Sequence, residues 1–262
     1  MKTVLTIAGS DCSGGAGIQA DLKTITALGL YGESVITALT AQNTMGVADI
    51  LPVSPDFLQK QLECVFTDIV PDAVKVGMIT GTEQMRVIRD CLVKYQAKHV
   101  VIDTVMVSTS GRHLMKPEAL NYYASKLLPL AEVYTPNLPE AELLLKTTTK
   151  TREERVAAVR EFALQYRGMV YLKGGHDDLN ADDLLYDGES LVWLTAAHIP
   201  NSNTHGTGCT LSAAIACGLA KGFDNIASAK MAKEYITGAI ADGMDLGRGN
   251  GPLNHMYRIK ET

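Results

Sequence analysis

Short apolar runs alternate along this chain with longer segments whose apolar positions recur every three or four residues, and that alternation predicts strand followed by helix, repeatedly. Val4–Ala8 reads as a first buried strand, Ala16–Leu28 as a helix stopped by Gly29, and Ser34–Ala41 as a second strand. Helical spacing returns at Pro55–Thr67, Glu83–Gln96, Pro117–Leu130 and Arg152–Tyr166, with strands expected at Ala73–Met78, His99–Val105, Glu132–Thr135 and Met169–Lys173. Such an order needs crossovers, so it predicts an α/β fold with a mainly parallel central sheet and helices on both faces. Leu184–Tyr186 and Leu191–Leu194, parted by Asp187-Gly188, read instead as a hairpin.

The chain has 262 residues and no internal linker, which suits one large α/β domain spanning 1–262. A net charge of −5 and the lack of any Lys/Arg cluster exclude a phosphate-tracking face, so no nucleic-acid partner is expected. Five cysteines, at 12, 64, 91, 209 and 217, form no CxxC pair and no metal spacing. They read as reduced thiols in a cytoplasmic protein. The apolar start is cut by Asp11, unlike a signal peptide, and no stretch approaches the length of a membrane span.

In parallel sheets chemistry collects at the carboxyl ends of strands, which directs attention to the loops there. Near the C-terminal end, Asn203-Thr204-His205-Gly206-Thr207-Gly208-Cys209-Thr210 runs into an alanine-rich helix. A glycine-paired turn at a helix start gathers unpaired N–H groups around one spot, with a thiol in the first turn whose ionisation the helix favours. That arrangement suits a phosphoryl group whose charge grows during transfer. Cys64, Cys91 and Cys217 fall on helical stretches and read as packing.

Four other loops stand out. Gly9-Ser10-Asp11-Cys12-Ser13-Gly14-Gly15-Ala16-Gly17 combines small residues with a helix start; its Gly15-Ala16-Gly17-Ile18-Gln19-Ala20 matches a dinucleotide fingerprint in form but stands too far from the strand. Asp103 follows an apolar strand and either binds a cation or caps a turn. In Thr135-Pro136-Asn137-Leu138-Pro139-Glu140, Glu140 is placed for a capping box or for Mg²⁺ through water. Lys173-Gly174-Gly175-His176 completes the set.

Taken together and in this order, these motifs, with Thr40-Ala41-Gln42-Asn43-Thr44, Asp103-Thr104-Val105-Met106 and Gly111, resemble the ribokinase-like vitamin kinases over essentially the whole chain, and within them the branch acting on hydroxymethylpyrimidine. The resemblance implies a three-layer ribokinase-like fold, a homodimer, and transfer of the ATP γ-phosphoryl first to a pyrimidine hydroxymethyl group and then to the resulting phosphate ester. It implies an anion hole of Gly206, Thr207, Gly208 and Cys209, with Cys209 nearest the accepting oxygen. Asp103 and Glu140 would organise Mg²⁺, while Asn137 and Lys173 would face the ATP phosphates. Gln42 would bond the aminopyrimidine, in a pocket completed by Asp21, Met78, Val105 and backbone near Gly9 and Ala16.

Two rivals follow from the same residues. A pyridoxine/pyridoxal kinase of the same family shares scaffold and anion hole; Gln42 and the Val107-Ser108-Thr109 stretch, where pyridoxal-handling relatives often place a second cysteine, favour the pyrimidine. One departure stands against the pyrimidine pattern: Thr109 occupies the position where that branch commonly has Lys. A cysteine hydrolase built on His205 and Cys209 lacks an orienting Asn or Asp motif, and His205 reads as shaping the turn into the anion hole.

Overall fold

The computed structural model describes residues 1–106, 117–175 and 182–259. The chain begins β1 (Thr3–Asp11), α1 (Gly17–Ala27), β2 (Tyr31–Asn43), β3 (Gly46–Pro52), α2 (Pro55–Phe66), β4 (Ala73–Val76), α3 (Thr82–Lys94) and β5 (Val100–Ile102). It continues with α4 (Pro117–Tyr122), β6 (Val133–Tyr134), α5 (Leu138–Leu145), α6 (Arg152–Tyr166), β7 (Met169–Leu172), β8 (Asp183–Tyr186), β9 (Leu191–Leu194), α7 (Thr207–Ala220) and α8 (Asn225–Asp242). The strands form one nine-stranded sheet in the order β3-β2-β1-β4-β5-β6-β7-β8-β9. Its centre, from β2 to β7, is parallel; β3, β8 and β9 join antiparallel at the two edges.

Strand side chains alternate between two cores, as the period of two requires. Leu5, Ile7, Val74, Val76, Val100, Ile102, Tyr134 and Val170 pack under α2, α3, α5 and α6. The intervening Val4, Ala73, Val101, Val133, Met169 and Tyr171 pack under α1, α7 and α8. The sheet is thus sandwiched by helices on both faces, a three-layer architecture. Every residue of α7 from Thr210 to Ala220 is buried, which its alanine-rich sequence permits because small side chains let it lie close to the sheet. Among the described residues no helix is long and apolar enough to cross a membrane.

Three elements depart from the pattern. β3 pairs antiparallel with β2, although it is mostly solvent-facing and therefore carries no apolar alternation. α8 begins at an Asp224 cap, its carboxylate accepting from Ala227 N at 2.7 Å, and buries mainly small residues that make a weak helical stripe. The segment expected as one helix over Pro117–Leu130 changes character: after α4 it widens into a π turn at Tyr123–Leu127 and tightens into a 3₁₀ turn at Leu128–Leu130. Pro129 lacks the N–H that would continue an α ladder, and its ring opposes the carbonyl one turn back. Cys64, read as packing, is exposed; Cys91 and Cys217 are buried.

Candidate active site

Loops leaving the carboxyl ends of β1, β4, β5, β6 and β7 converge with the start of α7 on a cavity of about 650 Å³. At its floor Gly206 takes φ +84°, and a Cβ there would lie 1.9 Å from the Gly15 carbonyl oxygen. Only glycine fits, so the turn into α7 is pinned against the loop after β1. Gly17 plays the matching part on the other loop: φ +55°, with a Cβ 2.2 Å from Gly9 O.

The first intrahelical bond of α7 runs from Thr210 N to Gly206 O at 2.9 Å, which leaves the N–H groups before it without a partner inside the helix. A Cβ on Gly208 would stand 3.4 Å from Asp103 Oδ2 and 3.5 Å from Lys173 Nζ, so this turn of backbone amides lies directly beside both side chains. Cys209 Sγ accepts a hydrogen bond from Gly17 N–H, at the start of α1, and therefore faces two helix N-termini. The thiol is nevertheless not a ready thiolate. Burial pushes it up to about 11, with Asp21 and Asp103 adding to the rise and Lys75 and the Gly17 N–H only partly offsetting it. The expectation of a lowered Cys209 pKa is thus corrected: desolvation outweighs the helix terminus.

Asp103, fully buried, accepts from Lys173 Nζ and Thr135 Oγ1, both at 3.0 Å. Burial alone would raise its carboxyl, but Lys173 and Lys75 hold it below the usual range. Lys173 stays protonated between Asp103 and Glu140, the latter 4.0 Å away. Asn137 and Glu140 form a capping box at the start of α5: Asn137 Oδ1 accepts from Glu140 N at 2.8 Å, and Glu140 Oε2 from Asn137 N at 2.9 Å. Glu140 Oε2 also takes the Thr104 hydroxyl at 2.9 Å. Cap and cavity are not alternatives here, since both residues line the cavity as well.

Among the described residues no group of three or more His, Cys, Asp or Glu side chains is arranged to enclose a metal. A cation that keeps most of its waters and leans on one or two carboxylates and on phosphate oxygens, as Mg²⁺ does, fits the Asp103 and Glu140 carboxylates better than one needing a protein cage.

Asp21 does not reach the cavity. It is fully buried on α1, where Oδ2 accepts from Lys75 Nζ at 2.7 Å and from Thr6 Oγ1 at 2.5 Å, and Oδ1 has no partner. Its expected place among the pocket-lining residues is therefore corrected. Lys75, also fully buried on β4, stays charged despite the burial because the Asp21 carboxylate in contact with it, and Asp103 beyond, favour the ammonium. Breaking such a pair strands a charge: Asp21→Ala is expected to cost about 3–5 kcal/mol in urea unfolding, whereas Asp21→Leu with Lys75→Met recovers most of that loss. Equal loss in both variants would show that the pair contributes through packing alone.

Gln42, Gly9, Ala16, Met78 and Val105 all line the cavity. The dinucleotide-like glycines serve a different purpose: Gly15 N and Ala16 N donate to Asp11 Oδ2 at 3.1 and 2.9 Å, so the protein's own carboxylate takes the place a pyrophosphate would need. His205 Nε2 lies 2.8 Å from that same oxygen and 3.0 Å from the Gln42 amide, which is where its bonding goes; no hydrogen bond joins it to Cys209. The Cys/His hydrolase geometry is absent from these described residues. Val107, Ser108, Thr109, Gly111 and His176 lie outside them.

A second stretch of wall was not legible in the sequence. Ala197 and Ile199 follow β9, and Leu211, Ile236 and Ile240 come from α7 and α8. Lys233 edges this apolar wall, its Nζ donating to Asp183 Oδ2 at 2.7 Å. Asp183 also accepts from Tyr171 Oη at 2.6 Å and Gly174 N at 2.8 Å, so the lysine is held on a rigid post. One of two lysines within a small-residue helix, Lys233 carries no motif.

Known proteins resemble this chain over most of its length. The family model described as phosphomethylpyrimidine kinase matches residues 11–254. The hydroxymethylpyrimidine/phosphomethylpyrimidine kinase of Rhizobium meliloti is 49% identical over 259 residues, covering 97% of each chain. The crystal structure of phosphomethylpyrimidine kinase from Clostridium difficile 630 superposes with a TM-score of 0.83 at 43% identity, over 92% of this chain and 100% of that one. An ADP complex of Bacillus subtilis pyridoxal kinase gives 0.92 at 36% identity, over 99% and 100%.

Proposed function

The chain belongs to the phosphomethylpyrimidine kinase family, and on that footing we propose that it transfers the γ-phosphoryl of ATP to 4-amino-5-hydroxymethyl-2-methylpyrimidine and then to the monophosphate, giving the diphosphate for thiamine diphosphate biosynthesis. One observation carries the reading: the open N-terminal turn of α7 stands beside Asp103 and Lys173 in the same cavity that Gln42 lines. Backbone donors fixed by Gly206 meet the charge that develops on the transferring group, without reorganising as it forms. Lys173, locked by Asp103, neutralises phosphate oxygens, and Asn137 lies beside it. Mg²⁺ held by Asp103 and Glu140 would supply further charge neutralisation to the phosphates.

The apolar wall after β9 and on α8 suits a planar nucleobase, with Lys233 at its edge. Lys233→Met is expected to raise KM for ATP about ten-fold, the size of one charge-assisted contact, while leaving the pyrimidine KM nearly unchanged. An unaltered ATP KM would remove Lys233 from the nucleotide site. We assign the work to one kinase domain spanning 1–262, homodimeric as the resemblance implies and cytoplasmic as its unpaired cysteines imply.

ATP consumption by purified protein, with hydroxymethylpyrimidine and pyridoxal in parallel and products identified by mass, tests the assignment. Pyrimidine turnover that continues to the diphosphate is the expected result. Preferred turnover of pyridoxal without a diphosphate would keep the fold and anion hole but move the enzyme to vitamin B6 salvage, the activity named for the Bacillus subtilis neighbour.

A further inference from the structure

Recognition of the aminopyrimidine rests, in the reading above, on the Gln42 amide, and the surroundings of that amide decide which of its two ends faces which way. Gln42 Nε2 stands 3.0 Å from His205 Nε2, and Gln42 Oε1 stands 3.2 Å from Thr40 Oγ1. The orientation turned by half a rotation is isosteric, so hydrogen-bond accounting must choose between them.

Asp11 fixes the first contact. Its Oδ2 accepts from Gly15 N and Ala16 N, and its Oδ1 from Ser13 N and Ser13 Oγ, both at 2.8 Å. Burial pushes this carboxyl up, but the bonds from His205, Ser13 and Ala16 outweigh burial and keep it ionised. An ionised carboxylate offers only lone pairs, so the His205 Nε2 that lies 2.8 Å from Oδ2 must carry the ring proton. A protonated Nε2 has no lone pair for an amide N–H. The amide atom beside it has to be the oxygen, sharing the Nε2–H with Asp11.

Thr40 gives the same answer independently. Its single hydroxyl proton goes to Ser10 O at 3.0 Å, the shorter of its two contacts, so what it turns to the amide is a lone pair. That lone pair needs the amide NH₂. Both contacts fail with the nitrogen toward His205 and both succeed with the oxygen there.

We propose that His205, locked by Asp11, is a positioning residue that fixes the Gln42 amide with its oxygen toward His205 and its NH₂ toward Thr40, and that this lock selects a 4-aminopyrimidine over its 4-oxo counterpart. A 4-aminopyrimidine edge offers a donor amine next to an acceptor ring nitrogen, which a Gln amide meets with both of its ends. The 4-oxo ring, in its N–H form, offers acceptor next to donor. An amide free to turn accommodates either order, whereas a locked one accommodates only the first and leaves buried polar groups unpaired against the second.

The test is the ratio of dissociation constants for hydroxymethylpyrimidine and its 4-oxo analogue, measured by calorimetry on the whole protein, with a non-hydrolysable ATP analogue as the control ligand. His205→Leu and the near-isosteric Thr40→Val are each expected to lower the amino-over-oxo preference about ten-fold, the size of one lost hydrogen bond, with nucleotide affinity retained. In the unsubstituted protein, ¹⁵N spectroscopy of the His205 ring is expected to show a protonated Nε2. A bare Nε2, or an unchanged preference in both variants while Gln42→Leu abolishes it, overturns the lock and leaves Gln42 as the reader. An unchanged preference in Gln42→Leu itself overturns the reading of Gln42 and the lock with it.

Discussion

Asp103→Asn is expected to slow both phosphoryl transfers by about a thousand-fold, or roughly 4 kcal/mol of transition-state stabilisation. The carboxamide fills the same volume, so the loss is one of charge and bonding. Asp103 Oδ1 is the acceptor for Lys173 Nζ and Thr135 Oγ1, and Oδ2 lies 3.5 Å from Ser212 Oγ. An amide replaces part of that acceptor set with a donor and removes the ion that keeps Lys173 in place. Glu140, 4.0 Å from Lys173 Nζ, is then the remaining carboxylate partner and draws the ammonium away from the open turn of α7. Phosphate oxygens lose a cation at the needed position, and Mg²⁺ would lose one of its two carboxylates. Because neither effect depends on which oxygen accepts the phosphoryl group, the hydroxymethyl compound and its monophosphate should suffer alike. Steady-state rates with each substrate, alongside urea unfolding to confirm that the variant is folded, check this. A loss under about ten-fold would place Asp103 in support of the fold and outside the transfer itself.

The parts of this molecule that the sequence made legible are those where one residue type answers one local demand. Strands β1, β4, β6 and β7 announce themselves through apolar runs because both their faces are buried, and Asn137-x-x-Glu140 announces α5 because the cap is a local bond. Gly206 and Gly17 could be singled out as glycines of a turn, although not what they avoid, which is the Gly15 carbonyl oxygen on the opposite loop for Gly206 and the Gly9 carbonyl oxygen of β1 for Gly17. What stayed hidden depends on residues far apart meeting. Lys75 sits in an apolar strand and looks like a solvent-facing interruption until Asp21 arrives from α1, and the Asp11–His205 contact spans most of the chain. Cys209 departs from its local expectation for a related reason: a helix start can be read locally, but the desolvation that overrides it is imposed by the surrounding chain.

That override sharpens what Cys209 should do. Cys209→Ala is expected to slow transfer to the hydroxymethyl group about a thousand-fold, the span of a lost general base, and to slow transfer to the monophosphate less than about ten-fold. The hydroxymethyl oxygen must shed a proton as the O–P bond forms, and Cys209 Sγ, held against the Gly17 N–H, is the group that would receive it. A phosphate monoester with a second pKa near 6 is already ionised at neutral pH and needs no such acceptor. A thiol raised to about 11 is mostly protonated at neutral pH, and its thiolate share grows about ten-fold per pH unit below that value. The first transfer should therefore climb with pH across the range from 7 to about 9, with a slope near one, while the second stays flat. In Cys209→Ala the first transfer should lose its slope as well as its rate. Equal slowing of both transfers with the slope intact would mean that Cys209 contributes only its backbone N–H and its volume to the anion hole, and that the proton leaves by another route.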